Sequence, residues 1–285
     1  MTSCLKSLPL ALIALCAQAL PLAASAQPEA TAGAVGLPYA DRADLVLASP
    51  VIVDGSIRSA ARIRGAEAAG VAPGMVRFYV EVDVLALLRS PGAMPQRIGY
   101  LLDLAPDASG RLPKLRKMRV LVFARPVPGS AGQLQLVSPA GQQSWSAALD
   151  ASIRAIAAEV VSRDAPPQVT GVGDAFHVAG SLPGEGETQI FLQTADNRPV
   201  SLSVLRRPGE QPRWAVALSE IVDDAAAPPR RETLLWYRLA CTLPRELPAR
   251  SSSQMEDNDA DTAREDYRFV LSRLGACERT LPPIR

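Results

Sequence analysis

Between Val76 and Val84 the side chains alternate without a fault. Val76, Phe78, Val80, Val82 and Val84 share one face, and Arg77, Tyr79, Glu81 and Asp83 share the other. A period of two is the signature of a strand with one face buried. The same pattern recurs on both sides. Ile57, Ala61 and Ile63 alternate with Arg58, Arg62 and Arg64 after the apolar run Val51-Ile52-Val53, and strands are expected from Asp41 onward. Ile98, Tyr100, Leu102 and Leu104 follow, then Met118, Val120 and Val122, then Leu134 and Leu136, with turn formers such as Pro106-Asp107-Ala108-Ser109-Gly110 between them. Five or six short strands punctuated in this way predict a small antiparallel β-barrel or curled sheet of OB-like form. Ser144 or Ser146 can cap a helix in which Leu149, Ile153, Ile156 and Val160 recur at helical spacing, closing a unit over 41–165 that ends before Pro166-Pro167.

The segment 166–285 reads differently. The stretch AFHVA leads into a three-stranded β-meander, TQIFLQT, PVSLSVLRR and RWAVALSEIV, separated by Asp196-Asn197 and PGEQP. Two helices follow. The first, RETLLWYRLACTL, carries Leu235, Leu239 and Leu243 at i+4 steps and stops at Pro244. A polar linker, ARSSSQMEDNDAD, leads to a last helix from about Thr262 with the apolar stripe Ala263, Tyr267, Val270, Leu271 and Leu274. The expected class is α+β.

The N-terminus does not belong to this fold. Lys6 precedes an apolar run from Leu8 to about Ala23, which ends in Ala24-Ser25-Ala26, with small residues where a signal peptidase reads. The run is shorter than a membrane span and contains Pro9 and Pro21, so residues 1–26 are expected to be a cleavable signal peptide and the product periplasmic. Cys16 follows Leu15, too bulky for a lipobox, so a lipoprotein form is not expected. Residues 27–40 read as a flexible lead-in. No transmembrane helix is expected in the processed chain.

Cleavage removes 26 of the 285 residues, leaving 259, and of the 30 Lys and Arg it removes only Lys6, leaving 29 bases against 29 acids. A neutral chain lacks the bulk positive field with which proteins hold nucleic acid or anionic membranes. Cys4 and Cys16 leave with the signal. Cys241 and Cys277 remain, near the ends of the two C-terminal helices, and in an oxidising compartment they are expected to form a disulfide.

Motifs for catalysis are poorly represented. His177 is the one histidine, and with no CxxC the common zinc sites cannot be assembled. Pro128-Gly129-Ser130-Ala131-Gly132 lacks the first glycine of a nucleophile elbow, and Gly171 and Gly173 lack the third glycine of a dinucleotide loop. Asp54-Gly55 reads as a strand-to-turn junction. Asp257, Asp259 and Asp261 open like a calcium loop, but Thr262 and Arg268 stand where Gly and Glu are needed, so they read as a solvated linker. No catalytic residue, metal or cofactor is assigned. Lys114, Arg116, Lys117 and Arg119 form the densest basic patch and the one candidate seat for an acidic ligand or partner, against the simpler reading of a charged strand start facing water.

The runs ADLVLASPVIVDGSIRSAARI, PKLRKMRVLVFARPVPG and TLLWYRLACTLP resemble an uncharacterised group of exported proteins from GC-rich Gram-negative bacteria, which implies export and no functional residues. The opening Asp44-Leu45-Val46 followed by a meander also resembles the netrin-like variety of OB barrel. That family's N-terminal cysteines are absent, so its inhibitory mechanism does not carry over. The expected function is a non-catalytic periplasmic binding, scaffold or assembly module whose partner is a periplasmic protein or small ligand. The alternative is a periplasmic hydrolase or carbohydrate-active enzyme using paired carboxylates. Mass spectrometry of the protein from a periplasmic extract should give Gln27 as its first residue; soluble cytoplasmic protein with Met1 intact would contradict export.

Overall fold

A computed structural model describes residues 36–218, 226–282 and 284, so the expected signal peptide over 1–26 and most of the expected lead-in lie outside the described residues. The chain is α+β. Helix α1 (Tyr39–Ala48) leads into β1 (Val51–Arg62), followed by β2 (Val76–Arg89), β3 (Arg97–Leu104), β4 (Arg119–Pro126), β5 (Gln133–Leu136) and β6 (Gln142–Ser144). Strands expected from Asp41 therefore begin ten residues later. Tyr39, Ala43 and Val46 recur at helical spacing and all three are buried, so that stretch is an amphipathic helix opened by Pro38.

Five strands close on themselves in the order β1-β2-β3-β5-β4 and back to β1. All pairings are antiparallel except β3 with β5, where Gly99 and Tyr100 lie beside Gln133 and Leu134. This is an OB-like barrel, and closure leaves few free edges. The short β6 shares the outer edge of β4 with β5. Phe78, Val80, Val82, Ile98, Tyr100 and Val122 fill the interior. The long segment before β4 plugs one end with Leu115, packed beside Leu112 and Met118.

Asp54-Gly55 is not a turn junction. Both residues lie within β1, where the register to β2 shifts between them. A Cβ at Gly55 would stand 2.3 Å from Val82 Cγ1 and 2.9 Å from the Asp83 carbonyl oxygen, so the glycine lets β1 press onto β2 as the barrel curves.

Helix α2 (Ala147–Val161) is capped by Ser146, whose Oγ accepts from the Leu149 N–H (3.2 Å). A second, separate antiparallel sheet follows: β7 (Val169–Ala179), β8 (Gly186–Thr194), β9 (Val200–Arg206) and β10 (Arg213–Ala217), in the order β10-β9-β8-β7. AFHVA thus lies in a fourth strand of the meander. Helices α3 (Leu234–Ala240) and α4 (Asp257–Leu274) complete the chain. The latter starts five residues earlier than expected. Asp257 and Asp259 belong to its first turn, where carboxylates favour the positive end of the helix dipole.

The sheets are separate but the larger apolar core is common to both halves. Tyr39, Ile52, Leu121 and Ile153 join Ile190, Leu202, Trp236 and Tyr267 in one cluster. The stripe Ala263, Tyr267, Val270 and Leu274 of α4 is buried in it. Trp236 Nε1 donates to the Leu274 carbonyl (2.9 Å) and the Tyr267 hydroxyl to that of Pro244 (2.7 Å).

Cys241, at the end of α3, and Cys277, just past α4, stand at disulfide distance with their Cα atoms 5.1 Å apart. Closing a ring across this sequence separation of 36 residues stabilises by up to about 4 kcal/mol on the loop-entropy account. The paired variant Cys241→Ser/Cys277→Ser should unfold at lower denaturant, with a loss of about 2–4 kcal/mol in urea titration. An unchanged midpoint would show that the bridge constrains nothing.

Candidate functional site

The four residues of the basic patch do not stay together. Lys114 and Arg116 line a groove of about 780 Å³ with Arg58, Ser59 and Phe78. Lys117 sits in a left-handed turn (φ 70°) and donates its backbone N–H to the Ile57 carbonyl (2.7 Å), extending the β1–β4 contact. Arg119 is held by Asp54 through Nε and Nη2 (2.9 and 2.7 Å), with its guanidinium 3.7 Å from the Trp145 ring centroid. Asp54 is buried, so this pair neutralises a carboxylate inside the structure and commits one edge of the Arg119 guanidinium to the frame.

His177 is likewise committed. Its Nδ1 lies 2.8 Å from Thr188 Oγ1, which donates to Asp266 Oδ2 (2.5 Å). Asp266 also receives Arg206 at Oδ1 (Nε 2.8 Å). The hydroxyl has one proton and Asp266 takes it, so the imidazole donates from Nδ1. A histidine, a hydroxyl and a carboxylate are thus in line, but the hydroxyl stands between the other two and is fully buried. No substrate reaches it, and the chain instead ties β7, β8, β9 and α4 together. Among the described residues no group of three or more His, Cys, Asp or Glu could hold a metal ion.

Sequence reasoning missed a different surface. On the barrel exterior, β2, β3 and β5 bound a groove of about 730 Å³ lined by Arg77, Tyr79, Leu101, Asp103, Gln133 and Gln135, with Val127 and Ser130 from the β4–β5 turn at one end. Tyr79 is its centre. A Cβ at Gly99 would lie 2.2 Å from the Tyr79 hydroxyl oxygen and 2.7 Å from Cζ, so the ring is laid across the one position of β3 that has no side chain. Gln133 on β5 donates to the tyrosine hydroxyl from Nε2 (2.9 Å) and fixes it there.

Leu101 is 48% exposed beside this ring, on the face that the alternation assigns to polar residues. At the far rim Arg77 clamps Asp103 through two 2.7 Å hydrogen bonds, which hold the Asp103 carboxyl below the usual carboxylate range. Arg77 Nη1 also reaches the Ala69 carbonyl (3.4 Å), tying the β1–β2 connection to the groove. The signals were present in the chain: a glycine inside a strand, and a leucine out of phase with the alternation.

The chain matches no protein-family model and no curated protein. Gly99→Ala tests the groove's construction. The added methyl displaces only the far end of Tyr79, so the barrel's circular dichroism should persist, with a cost of about 1–3 kcal/mol from overpacking. The nuclear Overhauser contacts between Tyr79 and Gln133 should disappear. If they persist, the ring does not depend on Gly99 for its place.

Proposed function

We propose that this chain is an exported, non-catalytic binding module of the periplasm, and that the groove over β2, β3 and β5 is its ligand seat. The observation that carries this reading is the immobilised Tyr79 ring, flanked by the exposed Leu101 and by the amides of Gln133 and Gln135. A ring fixed before binding loses little conformational freedom when a ligand stacks on it, and the amides supply both donors and acceptors.

The chemistry suits a ligand that is flat and apolar on one side and rich in hydroxyls at its edge, which describes a saccharide unit. The corresponding outer face of OB barrels takes oligonucleotides or oligosaccharides, an argument from fold alone. The neutral charge of the processed chain favours the uncharged class of the two.

The arrangement of acids supports binding over hydrolysis. A carboxylate mechanism needs one acid kept protonated and another free, and both oxygens of Asp103 in the groove are taken by Arg77. The buried acids Asp41, Asp54 and Asp266 are engaged by Thr280 and Leu281, by Arg119, and by Thr188 and Arg206 respectively.

Titration of the processed protein with soluble β-linked glucose and N-acetylglucosamine oligomers, followed by nuclear magnetic resonance, tests the reading. Saturable shifts should centre on Tyr79, Leu101 and Gln133. Tyr79→Ala should weaken binding at least about tenfold, equivalent to ~1.4 kcal/mol, and Lys114→Gln should leave it unchanged. Shifts that survive Tyr79→Ala, or no saturable shift with either oligomer, would reject the saccharide reading.

A further inference from the structure

A second cleft, of about 590 Å³, opens where α1, the end of β4, the approach to β7 and α3 meet. It is lined by Arg125, Gln168, Arg238 and Thr242, with Asp44 and Tyr237 in its wall. Its arginines differ from those elsewhere. Each of the other half-buried guanidiniums has an oxygen to bind: Arg42 has Ser152 and Glu232, Arg77 has Asp103, Arg89 the Val46 carbonyl, Arg206 has Asp266 and Arg279 has Asp44. Arg238 is equally half-buried, yet among the described residues it donates no hydrogen bond and has no carboxylate within 4.0 Å; the exposed Arg125 is in the same position.

The acid in the wall cannot serve them. Arg279 occupies both Asp44 oxygens (2.9 and 3.2 Å), and the Tyr237 hydroxyl donates to Oδ1 as well. Burial and the positive charge of Arg198 push the Arg238 pKa down, against a weaker opposing pull from Asp196, a carboxylate that Arg198 already binds (2.7 Å).

We infer that this cleft is an anion site in which Arg238 and Arg125 grip the oxygens of a small phosphate- or carboxylate-bearing ligand, with Gln168 and Thr242 donating to its remaining oxygens. The planar fork of Arg238 suits bidentate recognition of either oxyanion. The site is distinct from the groove around Tyr79 and does not depend on what that groove holds.

The test uses the processed protein with inorganic phosphate and citrate as separate probes, each against sodium chloride at matched ionic strength. One or both should raise the thermal midpoint saturably below about 10 mM, and the probe that does so identifies the oxyanion preferred. Arg238→Gln should weaken that binding at least tenfold, Arg125→Gln several-fold, and Arg238→Lys by an intermediate amount. In the absence of ligand, Arg238→Gln should leave the midpoint unchanged or raise it, because it removes a partly desolvated charge that no carboxylate contacts. A merely structural arginine would behave in the opposite way. The inference is overturned if neither probe acts beyond chloride, if the shift survives the Arg125→Gln/Arg238→Gln pair, or if Arg238→Gln lowers the ligand-free midpoint.

Discussion

Two carboxylates on α1 hold residues 279–281 against the helix that leads into the barrel. Asp41 is fully buried, and its Oδ2 accepts the Thr280 N–H (2.8 Å), the Thr280 hydroxyl (2.6 Å) and the Leu281 N–H (3.1 Å). One turn later Asp44 binds Arg279 and Tyr237. A carboxylate taken from water needs donors in its place; all three lie on Oδ2 of Asp41 while its buried Oδ1 has none among the described residues, so the sequence has to bring residues 279–281 back across more than two hundred positions. The entropic cost of so long a closure grows only logarithmically with length. Cys277, two residues before Arg279, fixes the returning segment to α3, and Arg279 Nη1 lies 3.1 Å from its Sγ. Helix α1 is thereby packed between the barrel it leads into and the helices that cover the second sheet.

With the barrel's start held in this way, closure shapes the outer surface that carries the groove. A five-stranded barrel is tightly curved, and side chains on its outer face diverge unless something draws them together. Here Gly55 lets β1 approach β2, and Gly99 leaves room for Tyr79 to lie along the surface instead of projecting from it. The parallel pairing of β3 with β5 places Gln133 beside Gly99, which is why its amide can reach the tyrosine hydroxyl. The groove joins two consecutive strands, β2 and β3, to β5, which lies far along the chain and reaches β3 through the parallel pairing that helps close the barrel.

That dependence explains which parts were legible in the sequence. Strands such as 76–84 could be read because the face buried inside a barrel repeats every second residue, and α2 and α4 because their stripes recur every three or four. The Cys241–Cys277 pair followed from arithmetic and compartment. Helix α1 was hidden because Leu45-Val46-Leu47 also reads as an apolar strand, and only the buried Tyr39, Ala43 and Val46 reveal the helical face. Asp54 was misread because nothing local shows that a carboxylate in a strand has Arg119 waiting 65 positions away. The first turn of α4 reads as linker because its aspartates are polar on every face, although their place at a helix start is favourable.

The division of the basic patch shows how charge becomes function in a chain of nearly zero net charge. Lys114, Arg116, Lys117 and Arg119 look equivalent in sequence, but the fold distributes acids unequally around them. Arg119 meets a buried carboxylate and becomes part of the frame, whereas Lys114 and Arg116 meet water in an open groove. Arg125 follows six residues later on the same strand, and it shares its cleft with Arg238, which is half-buried; among the described residues neither has a carboxylate within 4.0 Å. A cation facing water is hydrated and needs no partner, and a paired one is already neutralised. A guanidinium that has lost part of its water and gained no counter-charge is in neither condition, so its free energy falls when an anion arrives. Local imbalance of this kind, invisible in the total, is what separates a cation that supports the fold from one that awaits a ligand.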